Sequence, residues 1–154
     1  MKTSKEKEIN VVDGYVNAVV EIKIFQMLEL ALGRRKQLGN PVDVVERIAA
    51  NGERTQVLID AGPDLREQLL SVNCHTLDAV LLTHDHADHL HGIDDLRGIV
   101  LRNRQRLPVY MDQRTSVGVL KRFDYAFHAP AGSDYPPIFN QCELVADRAV
   151  SIHG

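Results

Sequence analysis

The chain has 154 residues, a net charge of −3 and an isoelectric point near 6.1, with 44% hydrophobic and 25% charged residues. This length suits a single domain, the composition is that of an ordinary globular protein, and the acidic balance disfavours a protein built to bind nucleic acid. Two cysteines without a CxxC pair, no long apolar stretch and a charged first segment argue against a disulfide framework, a membrane span or a secretory signal, so we expect a cytoplasmic protein.

The first forty residues are predicted to form a separate segment that contains one helix. Apolar residues recur at steps of three and four from Val16 to Ala31, and Gly33 follows as a stop signal. We therefore expect a helix over 15–32 within a segment 1–40, ahead of a domain at 41–154. The apolar stripe of this helix fits packing on the chain's own core, with binding to a membrane surface or to a partner as the alternatives.

A hairpin and a helix are predicted next. Val42–Ile48 is rich in β-branched residues, a turn signal stands at 51–52, and 55–60 provides the returning strand. A helix is expected to begin at 62–64, because proline suits the first helical position. The apolar positions expected on its buried face are Leu65, Leu69 and Val72.

The rest of the chain alternates predicted strands and helices. In chain order we expect a buried strand at 77–83, a helix at 90–100, a strand at 107–111, a helix at 113–123 with Val117 and Leu120 inward, a proline-containing loop at 124–138 and a strand near 143–152. This alternation indicates an α/β architecture with crossover connections between parallel strands.

A cluster of histidines and aspartates lies where the buried strand is expected to end and a helix to begin. Four of the seven histidines and two aspartates fall between positions 84 and 91. Imidazole and carboxylate suit zinc, iron and manganese, and open α/β sheets bind ligands beyond the carboxyl ends of their strands. Residues two apart on an extended turn point the same way, so His84 and His86 can bind one ion, while Asp88 and His89 project toward a neighbouring point.

Two further residues of the cluster are given other roles. Asp85 should point away from its neighbours and act as a solvent-facing or helix-capping carboxylate. His91 is interpreted as an outer group of the site or as an exposed residue. A histidine-rich exposed loop with no ligand is the alternative for the whole cluster, and its place between an apolar strand and a periodic helix disfavours that alternative.

The run His84-Asp85-His86-Ala87-Asp88-His89 resembles the HxHxDH motif of the metallo-β-lactamase superfamily. Leu58-Ile59-Asp60 is similar to the strand and structural aspartate that precede this motif in the family. The flanking text at 60–69 and 92–97 looks like the subgroup that contains phosphoribosyl cyclic phosphodiesterase. The resemblance covers about 44–154 and implies a partial αββα sandwich, about its N-terminal half, with a mixed sheet and flanking helices.

The resemblance also implies a two-metal site for Zn²⁺, or for Mn²⁺ or Fe²⁺. His84 and His86 would bind the first metal with a third histidine from a later strand end, for which His153 is the candidate, and a mobile terminal residue is the alternative for His153. Asp88 and His89 would bind the second metal. Asp88 would also be the catalytic residue that holds a metal-activated hydroxide in line for attack.

Two departures from the family pattern lead to further expectations. Residues 1–40 lack the family's glycine-rich start, and the chain stops at Gly154, before the family's bridging aspartate and final histidine. We therefore expect an incomplete copy that holds at most one ion tightly and hydrolyses its substrate weakly or not at all. We also expect an uncovered sheet face that favours dimerisation or aggregation.

Three functions fit these patterns. The leading one is a phosphodiesterase-like hydrolase of small phosphodiester-type substrates, with no membrane contact. Its substrate-facing loop would be 124–138, with Tyr125, Phe127, His128 and Tyr135, although an ordinary surface loop is equally consistent with this composition. The second is a non-catalytic metal-binding or interaction fragment. The third is a tRNA-processing nuclease, which the acidic balance makes least favoured.

Overall fold

The structure is a computed structural model, and the residues that it describes are 9–10, 34–39, 42–48, 50–145, 148–150 and 152. The helix predicted over 15–32, most of the segment 1–40 and the ligand candidate His153 therefore lie outside the described residues. Within the described part of the chain, no helix has both the length and the apolar character needed to cross a bilayer.

Eight strands and four α-helices are described, with one 3₁₀ helix between them. The strands are β1 (Ile9–Asn10), β2 (Arg34–Gly39), β3 (Val42–Ile48), β4 (Arg54–Ile59), β5 (Ala79–Leu81), β6 (Leu107–Met111), β7 (Phe139–Glu143) and β8 (Ala149–Val150). The helices are α1 (Leu65–Ser71), α2 (Ala87–Leu90), the 3₁₀ helix (Ile93–Leu96), α3 (Arg97–Asn103) and α4 (Gln113–Phe127).

The main sheet has six strands in the order β2-β3-β4-β5-β6-β7, and β1 pairs with β8 in a separate two-stranded sheet. β2, β3 and β4 are antiparallel, whereas β4 to β7 are parallel. The predicted hairpin is confirmed: Gly52 adopts φ 87° in its turn, and the side chain of Asn51 accepts a hydrogen bond from the amide of Glu53. The expected mixed sheet with flanking helices is thus present.

The strands bury side chains on both faces of the sheet. On one face, Leu58 and Val80 lie in the large cluster that also contains the apolar faces of the helices. On the other face, a second cluster consists of Val45, Val57, Ile59, Ala79 and Leu81, none more than 5% exposed. Burial on both faces explains why the strand predicted at 77–83 is almost wholly apolar. The face expected to be uncovered is therefore covered at these five residues, and self-association stays a prediction.

Two helices differ from the expectation. The helix expected at 90–100 is divided into α2, the 3₁₀ helix and α3, and the chain leaves α3 at Arg104 with φ 54°. α1 begins at Leu65, so Pro63 precedes its first turn instead of lying in it. Near the end of the chain, the strand expected at 143–152 is replaced by β7, which begins earlier, and by the short β8.

The inward position of Val117 and the end of α4 were wrongly predicted. Val117 is 66% exposed, whereas Thr115, Ser116 and Val119 are buried, so the inward face includes small polar residues that an apolar pattern overlooks. Leu120 packs against the core, as expected. The helix continues to Phe127, because 124–127 contains neither proline nor glycine. Phe127 is 4% exposed in the core and therefore does not face a substrate.

Candidate metal centre

The histidine turn, residues 83–92, begins where β5 leaves the sheet. Its first histidines precede α2, and His86 is the N-cap residue of that helix with extended backbone angles, φ −68° and ψ 152°. The amide of Leu82 donates to the carbonyl of Tyr110 in β6, which continues the parallel pairing to the edge of the turn. The predicted setting, a turn between a buried strand and a helix, is confirmed.

Asp60 holds this turn from beneath. It follows β4, is 1% exposed and adopts φ 60°, a conformation that aspartate tolerates better than most residues. Its carboxylate accepts hydrogen bonds from the Thr83 amide at 2.8 Å, the Thr83 hydroxyl at 2.7 Å and Nδ1 of His89 at 2.8 Å. The structural role that the family resemblance implies for Asp60 matches these contacts.

These hydrogen bonds determine which ring nitrogens can coordinate an ion. A carboxylate only accepts, so Nδ1 of His89 is the donor to Asp60 and coordination by His89 would use Nε2. The Thr83 hydroxyl donates its one proton to Asp60, so it accepts from Nδ1 of His84, 2.9 Å away. His84 would therefore also coordinate through Nε2. An acceptor at the second ring nitrogen is the usual support of a metal-binding histidine.

Backbone contacts and a glycine fix the other end of the turn. The amide of Ala61 donates to the carbonyl of His89 at 2.6 Å, and the amide of Gly92 donates to the carbonyl of Ala61 at 2.8 Å. A Cβ at Gly92 would lie only 1.9 Å from the carbonyl oxygen of Gly62. Glycine is therefore required where the turn passes over the segment that follows β4.

Three of the predicted ligand rings come together in this turn. The ring centroids of His84 and His86 are 4.5 Å apart, and those of His84 and His89 are 4.0 Å apart. The Asp88 carboxylate lies 3.6 Å from Nε2 of His89, and its side chain is 73% exposed. The donors are the imidazoles and carboxylate that zinc, iron and manganese accept, so the residues fit such an ion chemically.

Convergence of the rings does not amount to a preformed ion site. Among the residues that the structure describes, no group of three or more His, Cys, Asp or Glu side chains has the arrangement needed to hold a metal ion. The sequence expectation joined His84 and His86 to a third ligand, His153, which lies outside the described residues. The ligand assignments of all five candidates stay predictions.

Asp85 has a partner, Arg122, that no sequence pattern indicates. The carboxylate of Asp85 is 2.6 Å from Nη2 of Arg122 in α4. The side chain is 42% exposed, as a solvent-facing role requires, but it is also held in an ion pair. The helix-capping role is wrong, since no side chain caps the start of α2. His91 is exposed, with its ring centroid 5.9 Å from that of Phe123. Arg122 lies 37 positions after Asp85, and no local pattern links the two.

The loop named as substrate-facing begins at His128, because α4 occupies 124–127. Arg97 contacts this loop: its guanidinium lies 5.1 Å from the ring centroid of Tyr135, and Nη1 donates to the carbonyl of Pro136 at 3.3 Å. At the end of α4, burial and the nearby Asp94 carboxylate raise the pKa of Tyr125. Tyr125 and Tyr135 are both exposed, and a substrate role for them stays a prediction.

Comparisons with known proteins define the class of this chain. The family described as the beta-lactamase superfamily domain matches residues 55–154, which is about two thirds of the chain. The chain belongs to the beta-lactamase superfamily, as its HxHxDH motif indicated, and its sheet with flanking helices is a partial form of that fold.

Individual relatives match this chain over part of their length. A Porphyromonas gingivalis protein named octanoyltransferase is 40% identical over 63% of this chain, and a Caenorhabditis elegans beta-lactamase-like protein 2 homolog is 30% identical over 46%. The crystal structure of a diphosphatase from the PhnP family shares 30% identity and a TM-score of 0.54 over 68% of this chain. The matched regions span 19%, 26% and 37% of those three proteins.

Proposed function

We propose that this chain provides the HxHxDH half of a metal-dependent hydrolase that acts on small phosphodiester-type or related phosphate substrates. The observation that carries the proposal is the histidine turn itself, in which the buried Asp60 orients His89 and, through Thr83, His84. The likeness to a diphosphatase of the PhnP family supports a phosphate substrate. The name octanoyltransferase belongs to a relative of which the match spans only 19%, and it describes that protein alone.

The proposed site residues have two roles, metal binding and positioning of the attacking water. His84 and His86, with His153, would hold a first ion, preferably Zn²⁺, with Mn²⁺ or Fe²⁺ as alternatives, and His89 and Asp88 would contribute to a second position. When bound, such an ion activates water for hydrolysis at neutral pH and polarises the bond to be cleaved. The exposed Asp88 carboxylate, 3.6 Å from His89, would accept a hydrogen bond from the attacking water and hold it in line.

Metal binding is the first test of this proposal. We expect the purified chain to take up no more than one tightly bound Zn²⁺, measured by elemental analysis and by competition with a chromogenic chelator. The substitutions His84→Ala and His86→Ala should each weaken binding more than tenfold, because each removes a direct ligand. His75→Ala is the matched control, since His75 is exposed and lies outside the turn. Two tightly bound ions would contradict the single-ion expectation, and no binding would overturn the proposal.

Hydrolysis is the second test. We expect slow turnover of bis(p-nitrophenyl) phosphate that a chelator abolishes and added zinc restores. Asp88→Asn should lower the rate while zinc binding persists, because the amide is a weaker hydrogen-bond acceptor than the carboxylate. Zinc uptake without any turnover would favour the alternative of a metal-binding fragment. RNA binding that weakens steeply with salt would instead favour the nuclease-like alternative.

As to partners, the chain is predicted to self-associate and to make no contact with a membrane. Sedimentation of the chain at several concentrations would show a dimer if the predicted association occurs. A monomer across that range would contradict it.

A further inference from the structure

The outer side of the histidine turn meets helix α4 through the side chain of Arg122. Its Nη2 atom donates to the Asp85 carbonyl at 2.5 Å and to the Asp85 carboxylate at 2.6 Å. Its Nε atom donates to the carbonyl of Gly118 at 3.1 Å, and Nη1 lies 3.3 Å from Nε2 of His91. The guanidinium of Arg122 thus links α4 to two points of the histidine turn. One is the backbone and side chain of Asp85, and the other is the ring of His91.

Gly118 creates the space for this contact. A Cβ at Gly118 would lie 2.0 Å from Oδ2 and 2.7 Å from Cγ of Asp85. Glycine weakens a helix interior, so its presence in the middle of α4 has no advantage for the helix itself. The missing Cβ allows the Asp85 carboxylate to reach the helix surface beside Arg122.

We propose that Asp85, Arg122 and Gly118 form a positioning device for the metal-binding turn; this inference rests on the proposed function. Asp85 stands between His84 and His86, and successive side chains of an extended segment point to opposite sides. A carboxylate held on the α4 side therefore directs both flanking imidazoles to the other side. Asp60 fixes the turn from within the fold, and Arg122 fixes it from α4.

The guanidinium suits this role because of its shape. Its fixed, planar set of donors can engage a carbonyl and a carboxylate of the same residue, which orients both the backbone and the side chain of Asp85. The side chains of Arg122 and Asp85 are 33% and 42% exposed, so solvent screens the attraction between their charges. The pair is therefore expected to orient Asp85 while adding little to the free energy of unfolding.

Hydrogen–deuterium exchange of the metal-free protein tests the device directly. For Arg122→Gln and Gly118→Ala we expect about tenfold faster exchange of the amides in peptides covering 83–92, with unchanged exchange in β6. Arg114→Gln is the matched control, since Arg114 is an exposed arginine of the same helix, and it should leave the turn unchanged. Arg122→Lys should restore part of the protection relative to Arg122→Gln, because lysine keeps the positive charge. The recovery should be incomplete, because lysine lacks the planar donor set of the guanidinium.

Zinc affinity provides the second readout. The same two variants should bind zinc about tenfold more weakly than the parent protein, at the lower end of what loss of a supporting contact costs. Unchanged exchange at 83–92 in Arg122→Gln, or an equal rise in β6, would overturn the inference, because the pair would then be irrelevant or merely stabilising. A parent chain that binds no zinc would refute the proposed function, while the exchange pattern would still decide the inference.

Discussion

The histidine turn, which contains the short helix α2, and the loop at 128–136 both lie outside the sheet, but different contacts hold them. The turn is tied to the segment after β4 by a buried carboxylate with three donors and by two backbone hydrogen bonds. The loop is exposed throughout and is fixed by local hydrogen bonds around Ser133 and by Arg97. The difference indicates where rigidity is needed: the residues proposed to bind an ion are held by buried polar contacts, and the exposed loop is left adaptable.

Removal of the Asp60 carboxylate should have the largest effect. Asp60→Ala leaves three donors without their acceptor, the amide and hydroxyl of the part-buried Thr83 and Nδ1 of His89, and it should lower the free energy of unfolding by about 3 kcal/mol. Urea denaturation measures this change. Asp64→Ala is the control, because the exposed Asp64 side chain makes no capping hydrogen bond to α1, and its effect should stay below about 0.5 kcal/mol. Similar losses in both variants would mean that the turn is not held as described.

A second substitution tests the close approach of the turn to the segment after β4. Gly92→Ala places a Cβ against the Gly62 carbonyl, and backbone cannot rotate away as a side chain can, so we expect a loss of about 2 kcal/mol in stability. The matched variant Gly98→Ala lies in α3 with open space around it and should gain up to about 0.5 kcal/mol. Equal tolerance of both alanines in thermal denaturation would contradict the described packing.

The loop should respond much less. Tyr135 is 67% exposed, so Tyr135→Ala removes only its contact with Arg97 and should cost about 0.5 kcal/mol in the free energy of unfolding. Limited proteolysis should nevertheless cut faster within 128–136, because the loop loses one of its few attachments. A loss near 2 kcal/mol would show that the loop is as firmly held as the turn.

The smallest effect on stability is expected at Asp78, a carboxylate that accepts fewer hydrogen bonds than Asp60. Asp78 accepts a hydrogen bond from the Gln56 amide at 2.6 Å, and burial raises the pKa of Asp78 despite that bond. The folded state therefore binds a proton more readily than the unfolded state, and the stability of the protein falls as pH rises from the ordinary to the raised pKa. Asp78→Asn keeps an acceptor without the charge.

This variant should be more stable than the parent above that window and equally stable below it. Denaturation midpoints measured from pH 3 to pH 7 would reveal the difference. A constant difference across the range would show that burial of the Asp78 charge is not its cause.

Local patterns were sufficient to predict much of the sheet and the position of the histidine turn. The β-branched residues of Val42–Ile48, the turn at 51–52 and the apolar run at 77–83 act over neighbouring residues, so their strands could be read directly from the sequence. The HxHxDH motif likewise predicted the family and the gathering of three imidazoles.

Tertiary contacts determined what the sequence could not show. The close approach of Gly92 to Gly62 falls where the helix expected at 90–100 is interrupted, although the apolar spacing is that of one continuous helix. The inward face of α4 includes Thr115 and Ser116, which carry no apolar signal. The pairing of Asp85 with Arg122 joins residues 37 positions apart and depends on the path of the chain between them.

The contacts of Asp60 and Ala61 with the histidine turn have a consequence for the order in which the chain folds. All of them join residues no more than 31 positions apart, from the Ala61 carbonyl to the Gly92 amide. Loops of this length close at a modest entropic cost, and closure of shorter loops precedes that of longer ones. The turn can therefore assemble once Gly92 has emerged from the ribosome, before β6, α4 or Arg122 emerges.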